Sequence, residues 1–313
     1  MTARADWLKG CGTALVTPFT AQGAVDEACM TRLIERQIAG AVPLLVPCGT
    51  TGESATLSDD EQRKVIALTV KAAKGRARVI AGAGGSATAG VIERAQAAKA
   101  AGADAVLVLA PPYNKPTQAG LKAHFTAVAQ AIGDLPLVLY NVPGRTVSNI
   151  DAGTALELAR EVPNIVGIKE ASGNMSQIMA ILKDRPAGFR VLSGDDSLTL
   201  PLMALGAEGI ISVASNEAPA LMQRLTEFCL TGNWGEARTL HHKLLPLMEV
   251  NFVESSPGPV KAALHLMGLL EETFRLPLVP VQEKTRDKVK AVLAELGLLK
   301  SERPRAGARA QGH

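Results

Sequence analysis

The chain predicts an α/β fold, a closed (β/α)8 barrel of the TIM type with a C-terminal helical appendage, and three observations carry that expectation. Apolar runs of strand length recur eight times, at 12–19, 43–48, 78–83, 105–110, 137–140, 165–169, 190–193 and 209–213. Segments of helical period lie between them, and capping or turn residues stand at the joints. Alternation of strand and helix implies parallel pairing, and eight such units in about 230 residues match a closed barrel. An open doubly wound sheet would want a Gly-x-Gly-x-x-Gly turn after an early strand, and Gly82-Ala83-Gly84-Gly85-Ser86 has the wrong spacing.

The joints support this reading in chain order. Met30, Leu33, Ile34 and Ile38 give the first helix an apolar face, and Val91, Ile92, Ala95 and Ala98 do so for the third. Ser58-Asp59-Asp60-Glu61 is a capping box that opens the second helix, while Gly75, Gly102 and Gly206 stand where helices should stop. From 233 to 300 the strands cease. Pro257 opens one helical segment there, and Leu264, Leu266, Met267, Leu269 and Leu270 provide its apolar material. The expected division is a barrel over 1–232, a helical region over 233–300 that covers one side of the barrel or makes subunit contacts, and a disordered basic tail over 301–313.

Composition narrows the classes of function. With 313 residues, 47% apolar and 20% charged, the chain can bury a full core unaided. No apolar stretch approaches the roughly 18 residues needed to span a bilayer, and Met1 to Trp7 shows no signal-peptide character, so a cytoplasmic location is expected. The four cysteines form no Cys-x-x-Cys pair and fit a reducing compartment. His124, His241, His242 and His265 fall in helical patterns and His313 ends the chain, so no metal set is expected at the strand ends. The net charge of +3 equals that of the last segment alone, where Lys300, Arg303, Arg305 and Arg309 outweigh Glu302. A short Gly/Ala/Pro tail without aromatics predicts neither a nucleic-acid nor a membrane partner.

In a (β/α)8 barrel the loops after the strands share one face, so residues distant in sequence converge there. Gly49-Thr50-Thr51-Gly52-Glu53-Ser54 follows the second run, Pro111-Pro112-Tyr113-Asn114-Lys115-Pro116 the fourth, and Tyr140-Asn141-Val142-Pro143-Gly144-Arg145-Thr146 closes the fifth. The sixth ends in Lys169, the seventh in Ser193-Gly194-Asp195-Asp196, and the eighth passes Ile211. A strand-end lysine alone often snorkels to water. Beneath apolar neighbours, however, burial disfavours an ammonium and makes the amine a nucleophile toward a ketone. The chain has only two tyrosines, Tyr113 and Tyr140, and both occupy these loops, where with the Thr51 hydroxyl they form a candidate proton relay. The Thr50-Thr51 turn offers amides and hydroxyls to one carboxylate, and Arg145 offers a planar fork to a second. Asp195 and Asp196 are expected to cap the next helix rather than bind metal. The set points to Schiff-base chemistry on a small keto acid.

Taken jointly and in this order, the Gly49–Ser54, Tyr140–Thr146, Gly167-Ile168-Lys169-Glu170 and Ser193–Asp196 motifs are similar to the dihydrodipicolinate synthase (4-hydroxy-tetrahydrodipicolinate synthase) family. That family lies within the pyruvate-dependent class I aldolase superfamily that includes N-acetylneuraminate lyase, and the resemblance covers roughly residues 9 to 299. It implies that Lys169 forms an imine with pyruvate and that the enamine attacks L-aspartate 4-semialdehyde, a step of lysine and diaminopimelate biosynthesis that needs no cofactor beyond this covalent imine. It further implies a relay of Thr51, Tyr113 and Tyr140, with Tyr140 serving the imine step and Tyr113 reaching into the adjacent subunit of a homodimer or homotetramer. Thr50 and Thr51 would hold the pyruvate carboxylate, Gly194 and Ile211 would line the pocket, and Arg145 would bind the second carboxylate. The chain departs from the family pattern at the site for feedback inhibition by lysine, where Pro112 replaces a tyrosine and Asp59, Gln62, Ser86 and Gly90 stand at the other positions. Little response to free lysine is expected. The competing readings are an aldolase or lyase for another acid, such as a 2-keto-3-deoxy sugar acid, against which Arg145 argues, and a non-catalytic binding barrel.

Overall fold

The computed structural model describes residues 5–299. Eight parallel strands close into a barrel in sequence order: β1 Gly10–Ala14, β2 Leu44–Val46, β3 Arg78–Gly82, β4 Ala105–Leu109, β5 Leu137–Asn141, β6 Ile165–Glu170, β7 Arg190–Ser193 and β8 Gly209–Ser212. This is the expected fold. Two apolar layers build it. Leu44, Val46, Ile80, Leu107, Val138, Tyr140, Leu192 and Ile211 fill the barrel, and a larger cluster lies between the strands and the surrounding helices.

The helices are α1 Glu27–Ala39, α2 Asp59–Ala73, α3 Thr88–Ala100, α4 Gln118–Ile132, the single turn α5 Pro143–Thr146, α6 Ala152–Glu161, α7 Met175–Asp184, α8 Thr199–Ala204 and α9 Pro219–Leu230. The capping box at Ser58 forms as expected, with Ser58 Oγ accepting from the Glu61 amide and Glu61 accepting from the Ser58 amide. Gly75, Gly102 and Gly206 take φ values of 72°, 85° and 104° just past helix ends, the left-handed region that a side chain resists.

Two strands differ from their apolar runs. β1 ends at Ala14 rather than Phe19, because the Asn216 side chain inserts there. Its Nδ2 donates to the Ala14 carbonyl (2.9 Å) and its Oδ1 accepts from the Val16 amide (3.2 Å). In β6, Leu137 and Val138 pair with Ile165 and Gly167, leaving Val166 as an extra residue. That bulge lets both Val166 and Gly167 face the barrel interior: Val166 joins the inner cluster, and a Cβ on Gly167 would lie 3.1 Å from Leu8, another inner residue. Ile168 then packs outward and Lys169 turns inward.

Beyond β8, α10 Trp234–Val250, α11 Gly258–Leu266 and α12 Glu283–Glu295 form the helical region. Helix α11 is buried from Gly258 to Leu264, so it is an inserted element rather than an outer cover. The expected tail at 301–313 lies outside the described residues.

Candidate active site

The inward turn of Lys169 brings it beside Tyr140. The two are ladder partners on adjacent strands, and Lys169 Nζ lies 4.2 Å from the Tyr140 ring centroid. Each is only 6% exposed, so the amine is buried with an aromatic face as its neighbour. Gly194 completes the enclosure. A Cβ at that position would lie 3.0 Å from Lys169 Cε and 2.6 Å from Ala171 Cβ, so the lysine stem occupies space that only glycine leaves free. Ile211 lies in the same interior cluster as Tyr140.

Behind this pair a polar lock holds the ends of β5 and β6. Glu170 is buried and accepts from Asn141 Nδ2 (3.2 and 3.1 Å), the Ser172 amide (2.8 Å) and Gln177 Nε2 (3.2 Å). Asn141 Oδ1 accepts from the Ile150 amide at 2.9 Å. A satisfied buried network of this kind fixes side-chain direction. Asn141 and Glu170 stand within the strand-end motifs, and the signal for this lock in the sequence is a carboxylate immediately after a strand-end lysine.

The Thr50-Thr51 turn lies at the barrel mouth, with Thr51 buried and Thr50 half-buried. The Gly52 and Glu53 amides donate to the Gly49 and Thr50 carbonyls (3.1 Å each), folding the turn on itself. Thr50, Val142 and Arg145 line one cavity of about 560 Å3. Arg145 is exposed, and its guanidinium donates to the Ser256 carbonyl at 3.3 Å, which leaves most of its donors for a ligand. The same cavity reaches Asp59, Gln62, Ser86 and Pro112, where Asp59 faces Arg94 at 3.3 Å.

Tyr113 stands apart from Lys169 and Tyr140 within this chain. Its side chain is 88% exposed, and it and Lys115 hold left-handed φ values of 75° and 48°. The expectation for the two aspartates divides. Asp195 caps the following turn by accepting from the Ser197 amide at 2.9 Å, but Asp196 is buried and accepts from the Val213 and Ala214 amides (2.9 and 3.0 Å). Asp196 therefore ties off β8 rather than capping, because its side chain turns toward two orphan amides that burial denies to water. Cys48 is buried, and burial pushes its thiol up to about 12, as fits a small core residue. Among the described residues, no group of three or more His, Cys, Asp or Glu is placed to hold a metal.

Fold and site together define a barrel with a buried strand-end lysine, an adjacent tyrosine and an arginine at the mouth. Residues 7–296 match the model of the dihydrodipicolinate synthetase family, and the chain belongs to that family. It is 52% identical over 295 residues to a protein of Koribacter versatilis named 4-hydroxy-tetrahydrodipicolinate synthase, covering 94% of this chain and 98% of that one. A protein of the same name from Chloroherpeton thalassium is 48% identical over 294 residues, 94% of this chain and 97% of its own. The crystal structure of dihydrodipicolinate synthase from Aquifex aeolicus superposes with a TM-score of 0.92 at 45% identity, covering 94% of this chain and all of that one.

Proposed function

We propose that this protein catalyses the condensation of pyruvate with L-aspartate 4-semialdehyde to 4-hydroxy-tetrahydrodipicolinate, the product that its relatives' names carry. The observation that carries the reading is the buried Lys169 amine, held inside the barrel against Tyr140 and given room by Gly194.

Lys169 Nζ adds to the pyruvate ketone, and loss of water leaves an imine. Removal of a methyl proton gives the enamine, whose carbon attacks the aldehyde of the second substrate. Attack by the product's own amine closes the ring and frees the lysine. Thr51 and Tyr140, with Tyr113, move the protons these steps require. Thr50 and Thr51 hold the pyruvate carboxylate while Gly194 and Ile211 shape its pocket. Arg145 receives the carboxylate of the semialdehyde; a polyhydroxylated sugar acid would instead want hydroxyl-binding groups at the mouth.

The reading includes a homodimer, in pairs or alone, in which Tyr113 enters the neighbour's site. An aromatic ring held out in solvent by a left-handed backbone is strain that a monomer does not use. It also includes little inhibition by free lysine, because Gly90 offers no acid to its amine and Arg94 stands close by: a Cβ on Gly90 would lie 3.5 Å from the guanidinium. A steady-state assay with submillimolar lysine checks this, and clear inhibition would overturn it. The reading includes a cytoplasmic location, as expected of an enzyme acting on small intermediates of biosynthesis. Among the described residues no helix is long and apolar enough to cross a membrane.

Incubation with pyruvate and borohydride, with and without the semialdehyde, followed by peptide mapping, tests the chemistry. Pyruvate reduced onto Lys169, with less trapped when the semialdehyde turns the intermediate over, is the expected result. A folded protein that traps nothing would sink the Schiff-base reading, and turnover of a 2-keto-3-deoxy acid in preference to the semialdehyde would replace the acceptor.

A further inference from the structure

Beside the candidate site lies an ion pair that the chemistry above leaves unused. Lys261 on α11 meets Glu53, in the turn between β2 and α2, at 2.6 Å, and both side chains are fully buried, 0% exposed. The ammonium also donates to the carbonyls of Thr17 (3.2 Å) and Thr273 (2.6 Å), so its three N–H groups have three acceptors. The rings of Phe19 and Phe274 face it at 4.5 and 4.7 Å. Glu53 Oε2 accepts from the Arg275 amide at 3.4 Å.

A buried ion pair is a weak source of stability, since desolvation of two charges offsets most of their attraction. Geometry gives this pair a different role. Glu53 lies two residues after Thr51 and holds a left-handed φ of 54°, a conformation that a non-glycine residue keeps only under restraint. The intervening Gly52 carbonyl accepts from Thr17 Oγ1 at 2.7 Å, and the Thr17 carbonyl in turn accepts from Lys261. Lys261, Thr17 and Glu53 thus close a clamp around the residues that follow the two threonines.

We propose that the Lys261–Glu53 pair positions the Thr50-Thr51 turn from the C-terminal helical region, so that α11 is a working part of the site. Neither residue touches a reacting atom, and both act through the turn. The inference rests on the pyruvate reading given above.

The test separates position from stability. In the double variant Glu53→Gln/Lys261→Met both charges are gone together, which removes the penalty of an unpaired buried charge. Its melting temperature, its rate of borohydride-trapped pyruvate on Lys169 and its KM for pyruvate are compared with those of the wild type. The expected result is a melting temperature within a few degrees of wild type, with trapping slowed about tenfold or more and KM for pyruvate raised, as misplaced binding groups produce. Thr17→Val, nearly isosteric, removes only the Thr17 hydroxyl that donates to the Gly52 carbonyl and is expected to show the same split more weakly. It decides the matter if the double variant does not fold. Wild-type trapping and KM in either folded variant would overturn the proposal. Absence of any adduct on the wild type would overturn the pyruvate reading itself, and this proposal with it.

Discussion

The chemistry proposed for this protein turns on Lys169 and the groups that enclose it. Lys169→Met should retain the fold, since a buried Met fills much the same volume, and should lose trapped pyruvate and at least about a thousandfold in turnover, as loss of a covalent nucleophile does. Tyr140→Phe keeps the ring against the amine and removes only the hydroxyl. Turnover should fall about a hundredfold while the melting temperature stays near wild type, because one positioned proton donor contributes on the order of a hundredfold or more. Gly194→Ala is the sharper test of geometry. Its methyl would lie 3.0 Å from Lys169 Cε and 2.6 Å from Ala171 Cβ, so the lysine must move aside and adduct formation should slow with little loss of secondary structure. Unaltered trapping in Gly194→Ala would show that the lysine stem has another path.

At the scale of elements, the connections between helices and loops set the response to acid. Glu61 completes the capping box of α2 and also meets Arg275 through both of its oxygens, at 2.7 and 2.5 Å. The Arg275 guanidinium holds the Glu61 carboxyl down at about 2. Because the folded state favours the ionised form, this stabilisation is complete above about pH 4.5 and is lost as pH falls toward 2. Both groups are partly exposed, so the ion pair itself contributes about 1 kcal/mol at most; Arg275 also donates to the Gly23 and Thr56 carbonyls and lies over the Phe19 ring, so Arg275→Ala should cost about 2 kcal/mol or more at neutral pH by urea denaturation. His124 on α4 acts in a higher window. Its Nδ1 meets Thr88 Oγ1 at 2.9 Å, its Nε2 is buried with no partner among the described residues, and burial lowers its pKa to about 4. The unfolded chain binds this proton from about pH 6.5 downward, so stability should fall between pH 6.5 and 4 by a few kcal/mol at most. His124→Gln should flatten that part of the pH–melting curve; an unchanged slope would place the acid sensitivity elsewhere.

Across the whole molecule, the barrel holds one buried strand-end lysine and carries Tyr113 outward. If Tyr113 serves a neighbour, Lys169→Met and Tyr113→Phe variants should each be poorly active alone, and mixing them under subunit exchange should restore roughly a quarter of the wild-type sites, since half of the hybrid dimers' sites are whole. Activity that stays at the sum of the two variants would confine Tyr113 to its own chain. The C-terminal helices belong to the same scale. Expected from sequence as a covering or contact region, they also send α11 into the protein's interior, where Lys261 reaches the turn beside Thr51.

The sequence alone was enough to set the barrel and to single out the residues of its candidate site, because both follow from local signals. Strand-length apolar runs, helical periodicity and caps are written residue by residue, and in a (β/α)8 barrel the strand ends converge whatever the details of packing. Lys169, Tyr140, Thr50, Thr51, Arg145, Gly194 and Ile211 could therefore be gathered to one face from their positions after the runs. Only the tertiary structure decided where side chains point and what holds them. Strict alternation from Val166 would have turned Lys169 outward, and the extra residue in β6 is visible only as a register shift against β5. Asp196 has a capping residue's sequence position and another residue's partners, the amides of Val213 and Ala214. Lys261 and Glu53 are 208 positions apart, and no local pattern announces their contact. Bulges, buried polar partners and long-range ion pairs depend on atoms that approach only once the chain has folded, whereas periodicity and caps need no partner beyond the next turn.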